Sequence, residues 1–177
     1  PAIEGIDHTV GAGDSVDVLG ETFAVLEVPG HTLDHIAYVA GGDKPSLFCG
    51  DTLFAGGCGR LFEGTPQMMH KSLQALMELP GNTSVDCAHE YTLANLEFAR
   101  AVEPGNAELI KRIADAQGSR ARGEPTVPSN IALEQATNPF VRCETKELQA
   151  SLEAQHKLGD TAADAVFALV RGWKDNF

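Results

Sequence analysis

Leu47-Phe-Cys-Gly-Asp-Thr-Leu-Phe-Ala-Gly-Gly-Cys-Gly-Arg60 is the stretch that decides the fold of this chain. It begins as a short apolar run, 46–49, which is typical of a buried strand. The run ends at Gly50 and leaves one carboxylate, Asp51, at the end of the strand. A carboxylate in such a place costs free energy unless a cation or hydrogen-bond donors receive it. We therefore expect Asp51 to face a cation or a group of donors at one edge of a sheet.

Two histidines occupy similar positions at the ends of apolar runs. His31 follows Pro29-Gly30, and His89 follows the run 83–88. Each histidine alone is as consistent with an ordinary turn residue as with a ligand. Together with Asp51 they offer imidazole and carboxylate donors, a set that suits zinc, iron or manganese. Three ligands are too few for two metals, so either one metal binds with open positions or other ligands complete the site.

Composition limits the possible classes of protein. The chain has 177 residues, of which 43% are hydrophobic, enough for one ordinary domain or two small ones. A net charge of −12 argues against a nucleic-acid partner, which normally needs a basic face. The four cysteines form no C-x-x-C pair and are typical of reduced thiols in a cytoplasmic enzyme. No apolar run approaches the about 18 residues that a membrane-spanning helix needs.

The hydrophobic pattern divides the chain into a strand-rich half, 1–91, and a helical half, 92–177. Alternating or continuous apolar runs predict strands over 15–19, 22–28, 35–40, 46–49 and 83–88. Helical spacing predicts helices over 66–79, 93–102, 107–121, 131–135, 146–156 and 161–173. Thr65 before Pro66 is typical of a helix start, and Thr161-Ala-Ala-Asp164 predicts a capped start for the last helix.

Several polar residues could serve either chemistry or packing. Arg60 follows small residues that let a ligand approach, but it also fits an ordinary surface loop. Arg171 and Lys174 share one helix face, where they could bind an anion or simply complement the helix dipole. Tyr91 could place its hydroxyl near the metal edge or act as a packing aromatic.

The remaining histidines are given less functional weight. For His35 we favour an ordinary half-buried strand histidine over a supporting role behind a ligand. The other three are expected to be exposed to solvent: His8, His70 and His156.

The order of motifs resembles glyoxalase II, the hydroxyacylglutathione hydrolases of the metallo-β-lactamase superfamily. The resemblance covers nearly the whole chain and is most specific in the helical half. The motifs that carry it are Pro29-Gly-His-Thr32, Gly50-Asp-Thr-Leu-Phe54, Gly57-Cys-Gly-Arg60, Glu63-Gly-Thr65, His89-Glu-Tyr-Thr92, Asn95-Leu-Glu-Phe-Ala-Arg100, Asn138-Pro-Phe140 and Arg171-Gly-Trp-Lys-Asp175.

The resemblance implies a fold and a reaction. The expected fold is α/β, the C-terminal part of a metallo-β-lactamase-like αββα sandwich (1–91) followed by a helical substrate-binding domain (92–177). The implied reaction is hydrolysis of S-(2-hydroxyacyl)glutathione, typically S-D-lactoylglutathione, to glutathione and a 2-hydroxy acid, the second step of methylglyoxal detoxification. Hydroxide activated by two divalent metals, with zinc favoured over iron or manganese, attacks the thioester. The lack of a Gly-x-Ser-x-Gly elbow agrees with a mechanism that needs no serine nucleophile.

The resemblance also implies roles for seven residues. His31 looks like a ligand of one metal, His89 like a ligand of the other, and Asp51 like the carboxylate that bridges both. Four further residues look like contacts to the glutathione part of the substrate: Arg60, Tyr91, Arg171 and Lys174.

Two departures from the family pattern limit this reading. The Thr-His-x-His-x-Asp-His motif that supplies the other four ligands is not in the sequence, so we expect a C-terminal portion that is inactive alone and monomeric when complete. Phe62 stands where many members have Tyr, which removes one hydroxyl contact to glutathione.

The alternative functions are another thioesterase of the superfamily, a glutathione-linked sulfur dioxygenase, a metal-free glutathione-binding module, or a domain in which these histidines only pack.

Overall fold

A computed structural model describes residues 4–177 as an α/β fold, so the first three residues of the predicted 1–91 half lie outside the description. The strands of the main sheet are β1 (Ser15–Val18), β2 (Glu21–Glu27), β3 (Ile36–Ala40), β4 (Ser46–Gly50), β7 (Ser84–Cys87) and β8 (Ser129–Asn130). A separate hairpin consists of β5 (Leu53–Phe54) and β6 (Gly57–Cys58). The helices are α1 (Pro66–Met77), α2 (Thr92–Val102), α3 (Ala107–Ala121), α4 (Ile131–Thr137), α5 (Lys146–Ala154) and α6 (Ala163–Asp175).

The main sheet is mixed, in the order β1-β2-β3-β4-β7-β8. Strands β1 to β4 form an antiparallel meander, and α1 makes the crossover to β7, which lies parallel to β4. The carboxyl ends of β4 and β7 therefore meet at the same edge of the sheet. Since Asp51 follows β4 and His89 lies shortly after β7, this parallel pair brings the two residues together.

The core is continuous between the sheet and the helices. Val39, Leu47 and Val85 are in register across β3, β4 and β7 and form an apolar row. Leu73 of α1 and Phe167 of α6, both fully buried, belong to the same cluster. Burial at about 25 cal/mol per Å² of apolar surface is the main force that holds the helices to the sheet.

The longer elements agree with the sequence prediction, and the shortest do not. The hairpin β5–β6 and the strand β8 were not predicted, because two-residue strands are too short to show a periodic pattern. Thr65 caps α1 as expected, with its side chain accepting a hydrogen bond from Met68 N. The predicted cap at Thr161 is wrong: α6 begins after Ala162, which makes no side-chain cap hydrogen bond.

The prediction for His70 is also wrong. Only 8% of its surface is exposed, because its face of α1 packs against α6, where its ring lies 5.7 Å from the Phe167 ring. Burial lowers the pKa of His70 below its ordinary value of 6.5. His8 and His156 are exposed as predicted.

Among residues 4–177, no helix is both long enough and apolar enough to cross a membrane.

Candidate active site

One cavity of about 490 Å³ lies at the sheet edge where β4 and β7 end, between the loops of the strand-rich half and the helices α2 and α6. All seven residues proposed from the sequence contribute to its wall: His31, Asp51, Arg60, His89, Tyr91, Arg171 and Lys174. The fold brings these side chains, up to 143 positions apart between 31 and 174, to one cavity.

His31 is oriented by the loop that carries Arg60. Its Nδ1 lies 2.8 Å from the Arg60 carbonyl oxygen. Because a carbonyl oxygen only accepts hydrogen bonds, Nδ1 carries the proton and Nε2 keeps a free lone pair. The same loop returns a bond, since Phe62 N donates to the His31 carbonyl at 3.1 Å. A ring held in this tautomer through its other nitrogen is the usual state of a metal-binding histidine.

Asp51 and His89 form a close pair. Their Oδ1 and Nε2 atoms lie 3.3 Å apart, a separation that two ligands of one cation can adopt. Among residues 4–177 no three His, Cys, Asp or Glu side chains cluster tightly enough to hold a metal ion, so His31 does not complete a three-ligand group with this pair. The donors present thus suit a transition metal chemically, but the side chains described here make only part of a metal site.

Aromatic rings line the wall beside the candidate ligands. Tyr91 stacks on His89 with ring centroids 5.0 Å apart and an interplanar angle of 22°. Phe54 packs edge-on against Tyr91 at 5.5 Å. Phe62 lies 4.8 Å from the His31 ring, so a ring without a hydroxyl covers this side of the cavity. These contacts restrict the imidazole rings and give the cavity an apolar wall.

Three cations, Arg60, Arg171 and Lys174, line the same cavity. Arg60 is 69% exposed and its Nε lies 3.9 Å from Asp175 Oδ1, a weak contact. Lys174 Nζ donates to the Ala94 carbonyl at 3.2 Å and lies over the Phe98 ring. Burial, and then the neighbouring Arg171 cation, lower the pKa of Lys174. An anion placed between these cations would relieve their mutual repulsion.

Arg171 has a different environment from the other two cations. Only 5% of its surface is exposed, and its guanidinium donates to the Cys58 carbonyl at 3.1 Å and to Asp175 at 2.9 Å. Its Nε is buried without a hydrogen-bond partner among the described residues. One end of the guanidinium therefore holds the end of the β5–β6 hairpin, the other is paired with Asp175 of the same helix, and Nε remains for a ligand.

Side chains of the helical half hold the β5–β6 hairpin through its backbone. Asn138 Nδ2 donates to the Gly57 carbonyl at 2.9 Å, and Asn95 Nδ2 donates to the Ala55 carbonyl at 3.2 Å. Glu134 accepts a hydrogen bond from Gly56 N at 2.9 Å. The hairpin leads directly into the loop of Arg60, so the helices fix the position of that loop. Sequence reasoning missed these residues, although Asn95 and Asn138 stand in the motifs that carried the resemblance.

The thiols near the cavity are poor nucleophiles. Burial raises the pKa of Cys58 to about 11 and that of Cys49 to about 12. Since the thiolate is the reactive form of cysteine, neither side chain is suited to attack a substrate at neutral pH.

Family models match the chain in two adjoining parts. The metallo-beta-lactamase superfamily matches residues 1–89, and the hydroxyacylglutathione hydrolase C-terminus matches residues 90–177. A hydroxyacylglutathione hydrolase of Pseudomonas aeruginosa strain LESB58 is 53% identical over 93% of this chain. One of Ectopseudomonas mendocina is 50% identical over the whole chain and is itself 70% covered. The chain spans 64% of the length of the Pseudomonas aeruginosa relative.

Solved structures agree with the fold. ETHE1 from Myxococcus xanthus superposes with a TM-score of 0.55 at 26% identity, covering 97% of this chain and 62% of that one. A metallo-beta-lactamase from Staphylococcus aureus gives 0.53 at 21% identity, covering 94% of this chain and 43% of that one. The expected metallo-β-lactamase fold is confirmed.

Proposed function

Because the chain belongs to the hydroxyacylglutathione hydrolase family of the metallo-beta-lactamase superfamily, we propose that its protein hydrolyses S-(2-hydroxyacyl)glutathione to glutathione and a 2-hydroxy acid. S-D-lactoylglutathione is the expected substrate, as in methylglyoxal detoxification. The observation that carries the proposal is the position of three cations in an acidic chain. Arg60, Arg171 and Lys174, three of 13 Lys and Arg residues, line the cavity that also contains the Asp51–His89 pair.

We propose that divalent metals, with zinc favoured and two ions expected, are held by three side chains of this chain. His31 through Nε2, Asp51 and His89 would serve as ligands, completed by ligands that these 177 residues do not contain. A divalent cation in such a site lowers the pKa of water to about 7 and polarises a carbonyl group. Hydrolysis of the proposed thioester substrate needs both effects, a hydroxide to attack and a polarised carbonyl group to be attacked.

The cationic side of the cavity suits the substrate's glutathione part, which carries two carboxylates. Arg60 and Lys174 are the groups most able to bind them, since Arg60 is exposed and Lys174 makes one neutral hydrogen bond. Arg171 contributes its unpaired Nε and supports the wall through the Cys58 carbonyl. Tyr91 has an exposed ring stacked on His89 and can donate its hydroxyl to the bound substrate.

The proposed division of labour follows the two halves. The 1–91 half brings the candidate metal ligands together, and the 92–177 half supplies the two cations of α6 and the side chains that hold the hairpin. We further propose a cytoplasmic location, since four free thiols suit a reducing compartment, and, as the resemblance implies, a monomer.

The test is thioester hydrolysis by the metal-loaded complete gene product, followed through release of the glutathione thiol. Lys174→Met should raise KM about 10-fold or more with little change in kcat, because a hydrogen bond to a charged group contributes about 1.5–3 kcal/mol. Lys146→Met removes the same charge from the exposed start of α5 and should leave KM unchanged.

Three results would contradict the proposal. Absence of thioesterase activity in the metal-loaded protein would exclude the reaction. Equal KM values for Lys174→Met and Lys146→Met would contradict the proposed role of Lys174 in binding the substrate's carboxylates. Glutathione binding by calorimetry without turnover would indicate a binding module instead.

A further inference from the structure

The peptide group between Gly50 and Asp51 is held from both sides. Asp51 N donates to His35 Nε2 at 3.1 Å, and the Gly50 carbonyl accepts from Ala88 N at 3.0 Å. His35 stands four residues after the candidate ligand His31, and Ala88 immediately precedes the candidate ligand His89. One peptide group thus connects all three segments that carry candidate ligands.

The His35 ring lies directly against this peptide group. Gly50 has φ +53, and a Cβ added to it would lie 2.8 Å from His35 Nε2 and 2.9 Å from His35 Cε1. Such separations are too short for a side chain, so the ring occupies the space that any larger residue at position 50 would need. His35 also lies edge-on to His31, with ring centroids 5.9 Å apart.

The hydrogen bond fixes the chemical state of the ring. A backbone N–H can only donate, so Nε2 of His35 must be the unprotonated acceptor and Nδ1 must carry the proton. While it accepts from Asp51, this Nε2 has no lone pair left for a metal. His35 is therefore suited to position a ligand rather than to be one.

We propose that His35 is a positioning residue that sets the direction of the Asp51 carboxylate. By holding the backbone N–H of Asp51, it keeps the chain turning at Gly50 so that Oδ1 of Asp51 faces Nε2 of His89 at 3.3 Å. The effect on metal rests on the proposed function, whereas the hydrogen bond to Asp51 does not.

The bond itself is tested by amide hydrogen exchange at Asp51. His35→Leu removes the acceptor, and the Asp51 amide should exchange about 10-fold faster or more. His35→Gln can place its Oε1 near the position of Nε2 and should retain most of the protection. His8→Leu, which removes an exposed imidazole elsewhere, is the matched control and should change nothing at Asp51.

The positioning role is tested by Zn²⁺ titration of the complete gene product. His35→Leu should bind Zn²⁺ about 10- to 100-fold more weakly than the wild type, while His35→Gln stays close to it. Gly50→Ala, which would push the ring away, should resemble His35→Leu in both measurements. Thermal unfolding of each variant identifies any that fails to fold.

The outcomes separate this inference from the proposed function. Unchanged protection of the Asp51 amide in a folded His35→Leu variant would overturn the inference, as would a proton on Nε2 in long-range ¹H–¹⁵N spectra. Equal Zn²⁺ affinity in the Leu and Gln variants would overturn the positioning role. If the wild type bound no Zn²⁺, the proposed metal site would fail, and the exchange data would still decide whether His35 holds Asp51.

Discussion

Arg112→Met is expected to destabilise the whole protein, because it leaves a carboxylate buried without its cation. Arg112 and Glu134 are 6% and 0% exposed, and their N and O atoms lie 2.6 Å apart. Arg112 also donates to Ser129 and Thr137. Removing one partner of a buried ion pair costs about 3–5 kcal/mol. Glu134 keeps the bond from Gly56 N, among others, so we expect a value near the lower end, about 3 kcal/mol.

The chain contains a matched control for this substitution. Arg122 and Glu124 also lie 2.6 Å apart, but their side chains are 61% and 52% exposed. An exposed pair contributes about 0–1 kcal/mol, because water and salt screen it. Arg122→Met should therefore change the free energy of unfolding by less than about 1 kcal/mol. The comparison holds the distance and the substitution constant and varies burial.

The assay is urea-induced unfolding followed by fluorescence of Trp173, the single tryptophan. A loss of about 3 kcal/mol corresponds to a more than 100-fold change in the unfolding equilibrium constant. The double variant with Arg112→Met and Glu134→Gln should recover part of the loss, since the amide oxygen can still accept from Gly56 N while no charge remains buried. Two results would refute the reasoning. One is that Arg112→Met lowers the free energy of unfolding no more than Arg122→Met does. The other is that the double variant is less stable than Arg112→Met, as it would be if the two substitutions acted independently.

Three further predictions concern single positions. Gly59→Ala should abolish metal binding in a titration and lower stability in urea, because its Cβ would collide with the Asp51 carbonyl oxygen; unaltered Zn²⁺ affinity would contradict this. A thiol reagent at pH 8 should modify Cys87 alone in the folded protein, since the other three cysteines are buried; rapid reaction of Cys58 would argue against its burial and its pKa of about 11. Because burial lowers the pKa of His70, the unfolded chain binds a proton more readily, and the free energy of unfolding should fall as pH drops below about 6.5. The dependence of that free energy on pH should be weaker in His70→Gln. An equal dependence in both proteins would show that another group is responsible.

The sequence alone determined the longer elements and the types of residue at the site. Strands such as β2 and helices such as α3 repeat their apolar positions over enough residues to reveal their period. Asp51 and His89 could be chosen because each stands at the end of an apolar run. The parallel pairing of β4 and β7, which brings them to 3.3 Å, follows from a strand–helix–strand order that is also readable in the sequence.

The tertiary structure alone decided how the supporting residues act. Arg171 was expected as a contact to glutathione, and only the structure shows that it is also buried against the carbonyl of Cys58, 113 positions away. His35 was expected to be an ordinary strand histidine, but it accepts from Asp51 N. Glu134 gave no signal at all, because its partner Gly56 is 78 positions distant. Hydrophobic periodicity is a property of neighbouring residues, whereas a hydrogen bond between distant segments exists only after packing has excluded water and placed donor opposite acceptor.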